Sequence, residues 1–190
     1  MNERLRDNPK IMSAVTTILT EIEGEPLRKD LLETPRRVAN ALAEMLSGYN
    51  TDIDSLFKSF DGEGTDQIIA VRDISFASMC EHHLLVFSGV AHVAYLPNGR
   101  AIGASKIPRL VYAFAHRLQL QERITEQVAK TLMDKLQPRG VAVILQAQHS
   151  CMTCRGAKAL GSSMVTSVML GDFRESHALR MEVLSLLGLR

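Results

Sequence analysis

Leu84-Leu85-Val86-Phe87-Ser88-Gly89-Val90-Ala91-His92-Val93-Ala94-Tyr95, with the turn signal Pro97-Asn98-Gly99 behind it, is the stretch whose reading decides the fold. It is rich in β-branched and aromatic residues and stops at a Pro-Asn-Gly cluster, so it reads as a strand. Just before it, Ile68 to Ala77 is β-rich as well. Two helices follow. One begins at Ser105 and gathers Ile107, Leu110, Val111 and Phe114 on a face; the other runs from about Gln121 with Ile124, Val128, Leu132 and Leu136. Pro138-Arg139-Gly140 ends this pair, Val141 to Gln148 and Val165 to Leu170 read as two more strands, and Ser176 to Leu187 as a last helix. Neighbouring strands without helical crossovers predict an antiparallel sheet with helices on one face, an α+β fold.

Upstream the period is helical. Pro9 suits a first helical turn, and Ile11, Val15, Ile18, Leu19 and Ile22 fall on one face before Gly24-Glu25-Pro26 breaks the helix. Thr34-Pro35 predicts an N-cap and an N1 proline, with Val38, Leu42, Met45 and Leu46 as the stripe and Gly48 as the stop. Residues from about Tyr49 to Asp66 read as a polar linker with at most one short turn of helix. The expected organisation is an N-terminal helical segment over 1–50 and a main domain over 66–190, with the helices packed on that domain as one folding unit.

The chain has 190 residues, 46% hydrophobic and 23% charged, which is ordinary for a globular protein with a real core. Its 22 basic and 21 acidic residues nearly cancel, so no general basic surface for nucleic acid is expected, and an anionic ligand must be met by a local cluster of Lys and Arg. No stretch approaches a membrane span, and the charged start Met1-Asn2-Glu3-Arg4-Leu5-Arg6-Asp7 lacks the apolar core of a signal peptide. Three widely split cysteines, Cys80, Cys151 and Cys154, predict thiols in a reducing compartment, and the expected location is cytoplasmic.

Chemistry concentrates at two strand edges. Cys80-Glu81-His82-His83 and His149-Ser150-Cys151 are dense groupings of the two best zinc ligand types. Either alone would be weak, since an isolated histidine is more often plain packing; both together predict a metal site. Cys80, His83, Cys151 and Cys154 would make a closed Cys₃His structural zinc in a non-enzymatic protein. Cys80, His83 and Cys151 alone would leave a fourth position for a water made acidic by the metal. The halves lie too far apart for a small zinc ribbon, and the closed set gives His82 and His149 no task, so the open set is favoured. Both histidines then suit proton transfer.

Ser105-Lys106-Ile107-Pro108-Arg109 opens a helix, where free N–H groups and the positive dipole end suit an anion, although a capped helix with solvated charges is the plainer reading. Arg155 follows Cys151 closely. Glu122 alone is a common helix-start acid, yet a carboxylate is the natural acceptor for the N1–H and 2-amino donors of guanine. No Gly-x-x-x-x-Gly-Lys loop exists, so a triphosphate would be a handle for binding.

These motifs, with Gly103-Ala104-Ser105-Lys106-x-x-Arg109, Gln119-x-Gln121-Glu122-Arg123-Ile124-Thr125 and His149-x-Cys151-Met152-x-x-Arg155-Gly156, resemble the GTP cyclohydrolase I family in order and spacing. Leu32-Glu33-Thr34-Pro35-x-Arg37-Val38-Ala39 and Val165-Thr166-Ser167 resemble it too. Cys154, Ala104, Val86 and Ser163-Met164 depart from the usual pattern. The resemblance implies a tunnelling fold of β-β-α-α-β-β units in a ring, expected as a homodecamer with active sites between subunits. It implies zinc-dependent opening of the guanine ring of GTP, release of formate and formation of 7,8-dihydroneopterin triphosphate, or, in a relative that stops early, a ring-opened or cyclic-phosphate product. By the same resemblance Cys80, His83 and Cys151 hold zinc, His149 protonates N7 and His82 is a second proton-transfer group. Glu122 and Gln121 read the base, Ser105, Lys106, Arg109 and Arg155 hold ribose and triphosphate, and Arg37 reaches a neighbouring subunit's site.

Overall fold

A computed structural model describes residues 2–57, 59–61 and 65–189. The chain divides into two compact units, one up to Thr51 and one from Asp52 onward.

In the first unit, α1 (Pro9–Glu23) starts under Asn8, whose side chain accepts from the N–H groups of Lys10 and Ile11. The expected period is there but buries no residue: Ile18 is 58% and Ile22 72% exposed. Helix α2 (Thr34–Met45) begins one residue earlier than the cap signal implied. Glu33 takes the N-cap position, Thr34 is already helical, and no side chain caps the end. Pro35, Ala39 and Ala43 form its buried stripe. Gly48 lies within a 3-10 turn, Ser47–Asn50, that follows the helix.

The expected linker over Tyr49–Asp66 holds more structure than its polarity suggested. Residues 58 and 62–64 of it lie outside the described residues. The rest contains a 3-10 turn, Asp54–Phe57, and a short strand β1 (Ser59–Asp61). In the second unit the main strands are β2 (Ile69–Cys80) and β3 (Val86–Leu96). After the Pro97-Asn98-Gly99 turn, β4 (Arg100–Ile102) pairs antiparallel with β1. Then come α3 (Lys106–Ala115), the two-residue strand β5 (Leu118–Gln119) and α4 (Gln121–Leu136). Strand β6 (Gly140–His149) leads through one helical turn, α5 (Ser150–Thr153), and a loop to β7 (Met164–Gly171). The chain closes with α6 (Asp172–Glu175) and α7 (His177–Leu186), the latter capped by the Ser176 hydroxyl, which accepts from the Leu179 N–H. The long elements therefore run β-β-α-α-β-β.

The five-stranded sheet has the order β5-β2-β3-β6-β7, antiparallel except for the β2–β5 pair. One face buries Phe87, Ala91, Val93, Tyr95, Val141, Val143 and Leu145 against α3 and α4. The other face is not bare, contrary to the one-sided arrangement expected. Ala94, Leu96, Ala142 and Ile144 pack there with Phe173, Val183 and Leu187 of the C-terminal segment. Alternate residues of one strand serve the two faces, which is why these strands read as nearly continuous apolar runs. Gly89 sits where β3 and β6 approach closely: an added Cβ would lie 1.9 Å from the Gln146 carbonyl oxygen.

Candidate active site

Three chain segments meet at the end of the sheet where β2 stops and β3 starts. Cys80 is the last residue of β2 and is buried. Its N–H donates to the Leu85 carbonyl and its own carbonyl accepts from the Leu84 N–H, which closes a tight loop presenting His82 and His83. Leu84 closes that loop with φ +54°, a left-handed conformation costly for a branched side chain. The loop is tied down beside the site: the Arg123 guanidinium donates to both Glu81 oxygens, at 2.5 and 3.0 Å, and holds that carboxyl below the usual range. The Glu81 N–H donates to the Gln119 carbonyl.

From the opposite side β6 ends at His149, and α5 brings in Cys151 one step later. The ligand atoms of Cys80, His83 and Cys151 all lie within 4.8 Å of one another, and this group could hold a metal ion. Its donor set, two thiols and an imidazole, fits a borderline-soft divalent ion. All three cysteines are free. Burial, then the neighbouring Cys80, push the Cys151 thiol up, while Arg155 pulls it the other way. Cys154 is exposed and is not in the group.

His149 faces Phe87. Their rings are stacked, 4.6 Å between centroids and 6° from parallel, and the two residues are register partners on β6 and β3. Its Nδ1 is buried with no hydrogen-bond partner among the described residues. Burial holds the imidazole below its usual pKa, partly offset by the Glu122 carboxylate. A cavity of about 170 Å³ joins these groups, lined by Cys80, His82, His83, Gln121, Glu122 and His149, with Phe87, Gln119 and Cys151 also on its wall.

The remaining expected residues fall into two sets. Gln121 is buried at the start of α4, with its amide nitrogen donating to the carbonyls of Leu145 and Met164 at 3.0 Å and to Thr166 Oγ1 at 3.1 Å. Its Oε1 has no partner among the described residues. Glu122 is exposed on the cavity wall rather than buried. Arg155 is exposed beyond α5. Ser105, Lys106 and Arg109 are elsewhere: none lines this cavity, and Ser105 makes no side-chain cap. Leu96 pairs with Gly140 at one end of the sheet and Phe87 with His149 at the other. Helix α3 starts beyond Leu96 and runs back, its last residue Ala115 accepting from the Ser78 hydroxyl near Cys80. Ten residues of α3 put its N-terminus roughly 15 Å from that contact. Arg37 lies exposed on α2 in the first unit.

Phe87, Glu81 with Arg123, and Gln119 also shape the site, though the sequence motifs that contain them assign them no role there. Gln119 is buried and donates to the Phe114 carbonyl and to Gln127 Oε1, and its own Oε1 has no partner among the described residues. In the polar run Arg117-Leu118-Gln119-Leu120-Gln121-Glu122-Arg123 nothing local marks it for burial.

A family model for GTP cyclohydrolase I matches residues 11–188, nearly the full chain. The chain belongs to the GTP cyclohydrolase I family. A GTP cyclohydrolase 1 of Caldanaerobacter subterraneus subsp. tengcongensis is 50% identical over 183 residues, covering 96% of this chain and 97% of that protein. One from Thermoanaerobacter pseudethanolicus is 50% identical with the same coverage, and the Saccharomyces cerevisiae protein is 48% identical over 95% of this chain and 75% of its own length. This member of the GTP cyclohydrolase I family is a hydrolase. Among the described residues no helix is long and apolar enough to cross a membrane.

Proposed function

We propose that this chain is a zinc-dependent GTP cyclohydrolase of the cytoplasm. It opens the five-membered ring of guanine in GTP by hydrolysis, releases C8 as formate and yields 7,8-dihydroneopterin triphosphate, the first step of pterin and folate biosynthesis. The carrying observation is the convergence of Cys80, His83 and Cys151, with ligand atoms within 4.8 Å, in a chain of this family.

Those three residues would hold one zinc, which when bound acts as a Lewis acid and makes water a competent nucleophile near neutral pH. Three ligands are favoured over four because Cys154 stands outside the group. His149 supplies the proton to N7 that makes C8 electrophilic. Supporting this are its place two residues from a ligand, its position on the cavity wall and the Phe87 stack that fixes the ring. His82, on the same cavity, is the second proton-transfer group. Glu122 accepts the N1–H and 2-amino donors of the base, and Gln121 contributes only its Oε1, since its nitrogen is already tied to β6 and β7.

Arg155 holds phosphate from the metal side. Ser105, Lys106 and Arg109 sit at the other end of α3, roughly 15 Å from the Ala115 contact near Cys80, and none lines the cavity of the metal group. Their place supports a homo-oligomer, expected as a decamer, in which α3 of one subunit and the metal group of another form each site, with Arg37 reaching a neighbour's site. Incubating the purified chain with GTP, and assaying formate together with fluorescent pterin after oxidation, tests the reading. Loss of both products on chelation is expected, and GTP left intact by the zinc-loaded protein would refute it.

A further inference from the structure

Cys151-Met152-Thr153-Cys154 is a Cys-x-x-Cys segment wound into α5 and its C-terminal residue. The backbone is helical across it: Cys154 has φ −85° and ψ −16°, and its N–H donates to the Ser150 carbonyl at 3.0 Å. Residues three apart on a helical turn have Cβ atoms about 5–6 Å apart, against the roughly 3.5–4.5 Å of a disulfide, so closing the bond draws the exposed end of the turn in by about 1–2 Å. The two thiols differ in place. Cys151 is half-buried and belongs to the Cys80-His83-Cys151 group, whereas Cys154 is exposed and outside it.

We propose that Cys151 and Cys154 form a redox switch in which a peroxide closes a disulfide between them and unseats the metal. This rests on the reading of Cys151 as a metal ligand. The exposed Cys154 sulfur attacks hydrogen peroxide, the O–O bond breaks, and Cys154 becomes a sulfenic acid as one water leaves. The Cys151 sulfur then displaces the hydroxyl from that sulfenic sulfur, forming the S–S bond and releasing a second water. Two thiols have lost two electrons and two protons, and one peroxide has become two waters. A sulfur held in a disulfide is no longer a thiolate ligand, so only Cys80 and His83 remain for the metal. A dithiol reductant returns both thiols and with them the third ligand.

The adjacent sulfur that competes for Cys151 is Cys80, and the sequence makes the two outcomes separable. Trypsin leaves Cys151 and Cys154 together on the peptide Gly140–Arg155 and Cys80 on Asp73–Arg100. A bond between Cys151 and Cys154 therefore lowers the mass of one peptide by two hydrogens, while a bond between Cys80 and Cys151 joins two peptides. The test treats the reduced, zinc-loaded full chain with a modest excess of hydrogen peroxide. It follows metal release with a zinc-binding dye and maps peptides without reduction. Wild type is expected to release zinc as the internal Cys151–Cys154 link appears, and to rebind it after dithiol treatment. Cys154→Ser and Cys154→Ala should bind zinc as wild type does and release it about tenfold more slowly, having lost the thiol that meets the oxidant. Release from either variant at the wild-type rate, or a link joining the Cys80 and Cys151 peptides in wild type, would overturn the switch alone. A reduced wild-type chain that holds no zinc would overturn the ligand reading beneath it.

Discussion

His149 lies flat against Phe87, 4.6 Å between ring centroids, because the antiparallel register of β3 and β6 sets the two residues opposite each other at the last pair of the ladder. The imidazole is thus fixed by a β-sheet rather than by a loop, two residues from a metal-ligand candidate. His149→Ala should keep its metal and still bind GTP while losing activity by about 10² to 10⁴, the usual worth of a general acid–base group. Phe87→Leu keeps an apolar side chain but removes the flat partner, so kcat should fall by about tenfold with KM little changed, as for a misoriented catalytic group. Steady-state kinetics with zinc analysis check both. A drop in zinc content in His149→Ala would make His149 a ligand instead.

The separation of α3's N-terminus from the metal group predicts complementation. On the proposed roles Cys151→Ala would lack the metal end of a site and Arg109→Ala the anion end, so each alone should be nearly inactive. Co-expressed and co-assembled at random, they should recover about a quarter of wild-type activity, because one site in four would draw both intact ends from different chains. Mixed assemblies as inactive as the parents would place both ends of a site in one chain.

Gln121 has a structural task beside any contact with substrate. Its side-chain nitrogen reaches the Leu145 and Met164 carbonyls and Thr166, joining the start of α4 to the edges of β6 and β7. Gln121→Ala leaves these buried acceptors short of a donor and should cost about 1–3 kcal/mol of stability. Urea denaturation measures it. A variant as stable as wild type but weaker in KM would assign Gln121 to the base alone.

A pH effect on stability is expected from His92. This buried ring accepts the Asp73 N–H at Nδ1 over 3.3 Å. Burial chiefly, with Arg72, holds its pKa below the ordinary histidine value, against an opposing pull from Asp73. The unfolded chain then binds a proton that the folded chain refuses. The resulting stability is fully present above pH about 6.5 and is lost as pH falls from there toward the folded value, at no more than about 1.4 kcal/mol per pH unit. His92→Gln should flatten this slope in urea unfolding midpoints taken above and below that pH. Equal slopes in both proteins would remove His92 as the cause.

The long elements were legible because each spans several periods of its own kind. Ile124, Val128, Leu132 and Leu136 all proved buried on α4, and β2, β3, β6 and β7 lie within a few residues of their expected limits. The elements missed are β1, β4, β5, α5 and α6, each too short to display a period. Three of them, the short strands, are defined mainly by partners distant in sequence, as Cys80 opposite Gln119 on β5 illustrates. The second covered face of the sheet escaped notice because apolar residues on both parities of a strand do not say which helices cover them. At the site, Cys80, His83 and Cys151 announce themselves by type and spacing. The Phe87–His149 stack and the Glu81–Arg123 pair depend on strand register and on how α4 meets the Cys80 loop, neither of which local spacing encodes.

The central claim joins the metal group to hydrolysis of GTP, and a zinc titration of the metal-free chain tests it most directly. With GTP present and formate release recorded at each addition, the rate should rise in proportion to zinc and level off at about one zinc per chain, as a single three-ligand site requires. Cys151→Ala should stay flat throughout, while Cys154→Ala should follow wild type. Formate released at full rate by the metal-free chain, or none released by the chain loaded with one zinc, would contradict the account.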